Sequence, residues 1–296
     1  MVMVADIEFE GSGVRLRGER WAPDGSSRGT VVLLHGGGQT RGSWKRTTQR
    51  LAESGWTTIA LDLRGHGDSD WAPDGSYSFE AMSGDVLAVC SQVERPGGHA
   101  PVLVGASAGG IAIILAMGRR PDAARGLVLV DIAPRIESAG AGRVIGFMAA
   151  HTGGFDQLED VHEALVAYNP ERARPFDPDA LSRNVRRRED GRWYWHWDPE
   201  VVTSFGGHLG EDLGYGALSA AARSITVPTL LVRGRESDVL SEAGARELVD
   251  LIPHARFVDA QAGHMVAGDD NDVFTLEVDH FLDTVAGSAQ LPQGRG

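Results

Sequence analysis

Gly105-Ala106-Ser107-Ala108-Gly109 holds a serine between two glycines, after the apolar run Val102-Leu103-Val104 and before Ile111-Ala112-Ile113-Ile114-Leu115. The pattern reads as a strand, a sharp turn and a helix. Side chains at the glycine positions would clash in so tight a bend, and the bend lifts the serine hydroxyl out of the sheet top, where a base can reach it. The helix start behind it points unpaired N–H groups and a positive dipole end at any oxyanion formed there. Ser107 is therefore a candidate nucleophile. A plain helix N-cap is the competing role, since serine caps helices well. In a chain with 39 glycines the pentapeptide alone does not choose between them.

Acyl transfer also needs a base, an acid to orient it and donors for the oxyanion. The chain supplies candidates after the C-terminal ends of apolar runs, the edge where open parallel sheets bind ligands. His35-Gly36-Gly37-Gly38 follows Thr30–Leu34, and Asp62 through Gly65-His66-Gly67-Asp68-Ser69 follows Thr57–Leu61. Asp131 follows Gly126–Val130, Asp238 follows the run 229–233, and Gly263-His264 follows 256–259.

These sites require a particular scaffold. Runs apolar throughout, such as Thr30–Leu34, are typical of parallel strands buried on both faces. Residues 5–21 instead alternate as two short half-exposed antiparallel strands. Helices are expected at 43–54, around Phe79, Met82, Val86, Val89 and Cys90, after Ser107, at 241–251 and at 272–285. Strands alternating with helices make this an α/β protein with a mostly parallel sheet covered on both faces. The alternation stops near Pro134 and resumes near Val227, so residues 135–224 are expected to form a helical cap inserted into a core of 1–134 and 225–296. Within the cap, Arg183 and Arg186–Arg188 read as a solvated face, and Trp193, Tyr194, Trp195 and Trp197 as cap core. Residues 288–296 are small and polar and are expected to fray.

Composition narrows the partners. The 296 residues carry a formal net charge of −13, which disfavours nucleic acid and anionic membranes. Cys90 is the single cysteine, so neither an intramolecular disulfide nor a thiolate zinc cluster can form. It reads as an inert core thiol. No nucleotide-binding glycine pattern stands at a strand–helix junction, and neither a cofactor nor a metal is expected. No stretch approaches a membrane span, and the N-terminal residues lack the basic region of a signal peptide, so a cytoplasmic protein is expected.

The ordered set His35-Gly36-Gly37-Gly38, Gly65-His66-Gly67-Asp68-Ser69, Gly105-Ala106-Ser107-Ala108-Gly109, Gly234-Arg235-Glu236-Ser237-Asp238 and Gly263-His264 resembles the α/β-hydrolase family over roughly residues 25–135 and 225–285. The resemblance implies Ser107 as nucleophile, His264 as general base and then acid, and Asp238 as the orienting carboxylate. Asp131 is the alternative acid, because some members place theirs after the strand following the elbow helix. The backbone N–H groups of Gly37 and Ala108, with Gly38 as a possible second loop donor, would form the oxyanion hole. His35 and His66 would be structural, and Asp62 likewise. Gly37, where relatives often carry an aromatic, should leave the pocket roof open unless cap aromatics refill it.

A serine at the elbow separates the chain from epoxide hydrolases and haloalkane dehalogenases of this fold, which carry aspartate there. A carboxylesterase acting on a small-molecule ester is the implied activity. Lactonase, thioesterase, cofactor-free perhydrolase or C–C hydrolase chemistry, or a non-catalytic receptor, remain alternatives on the same residues.

Overall fold

The computed structural model describes residues 2–170, 175–209, 213–264, 266 and 272–288. Its centre is an eight-stranded sheet. In chain order the strands are β1 (Val2–Glu10), β2 (Arg15–Pro23), β3 (Thr30–Leu34), β4 (Thr57–Leu61), β5 (Val102–Ala106), β6 (Gly126–Val130), β9 (Thr229–Gly234) and β10 (Ala255–Ala260). The spatial order is β1-β2-β4-β3-β5-β6-β9-β10. β2 runs antiparallel to both neighbours, and all later pairings are parallel.

The apolar runs explain the layering. Every residue of β3, β4, β5, β6 and β9 is buried, and successive side chains point to opposite faces. Val31, Leu33, Val104 and Val130 pack with Leu51 of α1 (Lys45–Glu53) and with Phe274 and Phe281 of α10 (Asp272–Ser288). Val32, Leu34, Leu103 and Leu129 pack with Met82 and Val86 of α2 (Phe79–Gln92) and with Ile113 and Ile114 of α3 (Ala108–Arg119). Helices thus cover both faces. The chain leaves β3 toward β4 and returns to β5 on the other side, so a topological switch lies between β3 and β5. Their C-terminal ends carry the glycine loop at 36–38 and Ser107.

Between β6 and β9 lie α4 (Ser138–Ala149), α5 (Leu158–Tyr168), α6 (Pro178–Leu181), β7 (Val185–Arg187), β8 (Trp193–Trp195), α7 (Pro199–Leu209) and α8 (Leu213–Arg223). The stretch is not purely helical, because β7 and β8 pair as an antiparallel hairpin carrying the arginine and tryptophan runs. Trp195 and Trp197 are buried and stack at 4.8 Å, with Phe147 and Phe155 against Trp195. α8 belongs to the helix layer on the sheet: Gly118 of α3 lies so close that a Cβ there would stand 2.6 Å from the Cβ of Ala221. The helix at 43–54 begins as a 3₁₀ turn over Arg41–Trp44 before α1. α9 (Glu242–Leu251) precedes β10. Residues 289–296 lie outside the described residues. Among the described residues no helix is long and apolar enough to cross a membrane.

Candidate active site

The elbow is built by close approach. Ser107 has φ 46° and ψ −115°, a conformation L side chains rarely adopt and one that costs on the order of 1–3 kcal/mol. Its neighbours make room for it. A Cβ at Gly105 would stand 2.6 Å from Ile113 Cδ1 and 2.8 Å from the backbone of Gly109, and one at Gly109 2.6 Å from the Leu34 carbonyl oxygen. The N–H of Ser107 donates to the Val130 carbonyl at 3.2 Å, which ties the elbow to the end of β6. Its side chain does not cap α3. Among the described residues the hydroxyl has no hydrogen-bond partner, His264 included, which leaves the oxygen uncommitted.

Asp131 begins where β6 ends, with φ 50° and no exposed surface. Its carboxylate accepts three hydrogen bonds, from Gly234 N–H at 2.8 Å, the Ser237 hydroxyl at 2.5 Å and His264 Nδ1 at 2.6 Å. A carboxylate only accepts, so Nδ1 of His264 carries the proton and Nε2 is left to act as a base.

Asp238 is placed elsewhere. The guanidinium of Arg143 on α4 holds both of its oxygens, at 2.7 and 2.8 Å. That pairing holds the Asp238 carboxyl below the usual carboxylate range. The structure therefore pairs His264 with Asp131 and not with Asp238, correcting the expectation from the turn after β9. The loop turns Ser237 inward and Asp238 outward to the inserted helix.

The glycine loop after β3 also differs from expectation at one atom. Gly36 sits against the elbow serine, a Cβ there standing 3.3 Å from that of Ser107. The N–H groups of Gly37 and Ala108 have no hydrogen-bond partner among the described residues. The N–H of Gly38, in contrast, donates to His66 Nε2 at 3.2 Å and is not available to an oxyanion. His66 is fully buried, and burial first, then the neighbouring His35, lowers its pKa to about 3. Burial lowers His35 to about 4, and its Nε2 accepts the Leu63 N–H at 3.0 Å. His196, from the insertion, accepts the Gly67 N–H on Nδ1 at 2.9 Å, and burial pushes it well below an ordinary histidine. Three neutral imidazoles, spaced 5.2 and 6.0 Å, thus stand behind the loop. Asp62 is structural: it pairs with Arg41 and accepts the Asp68 N–H at 3.0 Å.

Inserted residues occupy the roof above Gly37. A Cβ at Gly37 would stand 3.1 Å from Phe205 of α7 and 3.2 Å from Met148 Sδ of α4, and one at Gly38 3.6 Å from Trp197. The missing aromatic of the loop is replaced by one from the insertion. Phe205 has no sequence signature for this role. Ser237, also missed, lay one residue from the position singled out. Cys90 is buried and its thiol is pushed up to about 12, as an inert core residue requires.

A parallel sheet with a strained serine elbow at its switch point and an Asp–His pair at the same edge defines an α/β hydrolase. Residues 25–271 match the family described as serine aminopeptidase, S33. The chain is 32% identical to esterase Rv0045c of Mycobacterium tuberculosis over 272 residues, covering 90% of this chain and 85% of that protein. It is 28% identical over 256 residues to the monoacylglycerol lipase of Mycolicibacterium smegmatis, covering 81% of each. The crystal structure of E-2-(acetamidomethylene)succinate hydrolase shares the fold, with a TM-score of 0.78 at 23% identity over 95% of this chain and all of that one. The chain belongs to the S33 family of α/β hydrolases, within its esterase-like group of carboxylic ester hydrolases.

Proposed function

We propose that this hydrolase cleaves a small-molecule carboxylic ester through an acyl-enzyme on Ser107, with His264 as base and Asp131 as the carboxylate that orients it. Nε2 of His264 takes the Ser107 proton as Oγ attacks the ester carbonyl carbon. The N–H groups of Gly37 and Ala108 receive the oxyanion, pre-aligned because neither is spent on the fold. Collapse breaks the bond to the alcohol oxygen, which leaves with the proton from His264. Water, deprotonated by the same imidazole, then attacks the acyl-enzyme and releases the carboxylic acid and Ser107. The insertion expected as a cap at 135–224 covers this edge through Met148 of α4 and Phe205 of α7, while its α8 packs in the helix layer on the sheet.

One observation carries the reading: Ser107, its hydroxyl uncapped, is tied through its backbone N–H to β6, and the residue after β6, Asp131, holds the proton-bearing side of His264. Fluorophosphonate labelling and turnover of p-nitrophenyl acetate and butyrate test it. Wild type should show both and Ser107→Ala neither. A folded wild type that shows neither would be a receptor. Lactones and thioesters pass through the same oxyanion, so a panel including them fixes the natural class.

A further inference from the structure

We propose that Ser237 is a positioning residue for the orienting carboxylate, holding the oxygen of Asp131 that faces His264. The inference rests on the serine-hydrolase reading and goes beyond it. Asp131 Oδ2 receives two donors, His264 Nδ1 at 2.6 Å and the Ser237 hydroxyl at 2.5 Å. The hydroxyl is itself aimed. Its oxygen accepts the N–H groups of Val239 at 3.1 Å and Leu240 at 3.2 Å, so its one proton is left to point at the carboxylate. The turn is closed by the Ser237 N–H donating to Gly234 O at 3.0 Å, and Gly234 N–H holds the other carboxylate oxygen. The loop after β9 thus grips both oxygens of an acid that belongs to β6.

The grip has a chemical purpose. Asp131 stands at positive φ just past a strand end, and its side chain is fully buried. Gly234 and Ser237 fix it from the next strand, presenting the Oδ2 lone pair to the imidazole. Because Ser237 and His264 bond the same oxygen, their side chains lie within two hydrogen bonds of each other.

The rate of fluorophosphonate labelling reads activation of Ser107 without knowledge of the natural substrate, and ester turnover follows it. Ser237→Ala should label and turn over about tenfold more slowly, with KM unchanged, because a hydrogen bond to a charged group is lost. Ser237→Thr, which keeps the hydroxyl, should recover most of the rate. Ser237→Ala labelling at the wild-type rate, or Ser237→Thr no faster than Ser237→Ala, overturns the positioning role. If Ser237→Ala does not fold, Ser237→Thr decides: retention of most of the wild-type rate supports the proposal and its absence overturns it. A folded wild type that takes no probe overturns the serine-nucleophile reading, and this inference with it.

Discussion

His264 bonds Asp131, the residue just past the end of the strand beside the elbow, at 2.6 Å. The arrangement follows from strand order. β5 and β6 are neighbours, so the residues just past their ends, Ser107 and Asp131, emerge side by side. β10 lies two strands away, and the loop after it brings His264 back across β9.

Asp131→Asn and Asp238→Asn should therefore behave oppositely. An amide at 131 can donate to Nδ1, favours the wrong tautomer and should lower kcat by about 10⁴-fold with little change in fold. Asp238 pairs with Arg143 across side chains 44% and 45% exposed, so solvent screens the pair. Asp238→Asn should cost less than about 1 kcal/mol and leave kcat within about twofold. Steady-state kinetics on p-nitrophenyl butyrate and urea unfolding of both variants check this. The reverse ranking of kcat would return the acid to Asp238.

Much of the framework was legible because it is written locally. Five apolar runs with no polar alternation require a buried parallel sheet, and Gly105 is needed by contacts within its own turn, whereas Gly109 is needed by the approach of Leu34 at the end of β3. The choice between Asp131 and Asp238 is not local. Both follow strands, and what separates them is Arg143, 95 residues before Asp238 in the chain. The loss of Gly38 as a donor is similar, decided by His66, 28 residues away. The β7–β8 hairpin was more accessible: Asp190-Gly191 between the arginine run and Trp193-Tyr194-Trp195 is a turn signal. The arginines hid it because they show no period-two alternation.

Acid should destabilise the fold through the imidazoles behind the glycine loop. His35 and His66 are held neutral, at about 4 and about 3 against an ordinary 6.5. Because the folded values are depressed, the unfolded chain binds protons that the native state refuses once pH falls below 6.5. Their contribution is full above that pH and is lost progressively down to about 4 for His35 and about 3 for His66. Each such group gives a slope of about 1.4 kcal/mol per pH unit across its window. Urea midpoints between pH 7 and 5 should fall accordingly. A flat profile there would mean that these rings are not buried and neutral.

The loop that carries His66 is anchored by a buried ion pair. Arg64 donates to both oxygens of Asp85 at 2.7 Å, and its remaining N–H groups reach the carbonyls of Ser76 and Ser12. Burial raises the Asp85 carboxyl above the usual carboxylate range, and Arg64 offsets only part of that rise. Asp85→Ala strands the guanidinium in the core and should destabilise by about 3–5 kcal/mol. Thermal unfolding measures it, and a loss under about 1 kcal/mol would contradict a buried, mutually dependent pair.

Phe205 should set how large an acyl group the site accepts. It is buried, stacks on Phe79 at 5.0 Å and occupies the space a side chain at position 37 would take, 3.1 Å from the Cβ site. Phe205→Ala opens that volume beside one proposed oxyanion donor. Truncation of a buried aromatic costs about 3–5 kcal/mol of stability, so kinetics must be measured well below the lowered Tm. Relative to acetate, kcat/KM for hexanoate and branched acyl esters should rise by about tenfold, the worth of one or two methylenes gaining contact. The coupling with position 37 separates steric from general effects. Gly37→Ala alone presses its methyl on Phe205 and Met148 and should lower kcat. In the Phe205→Ala background the same methyl has room and should cost less, a positive interaction in a double-mutant cycle. Additive losses in that cycle, with an unchanged acyl profile, would mean that Phe205 supports the cap without bounding the acyl site.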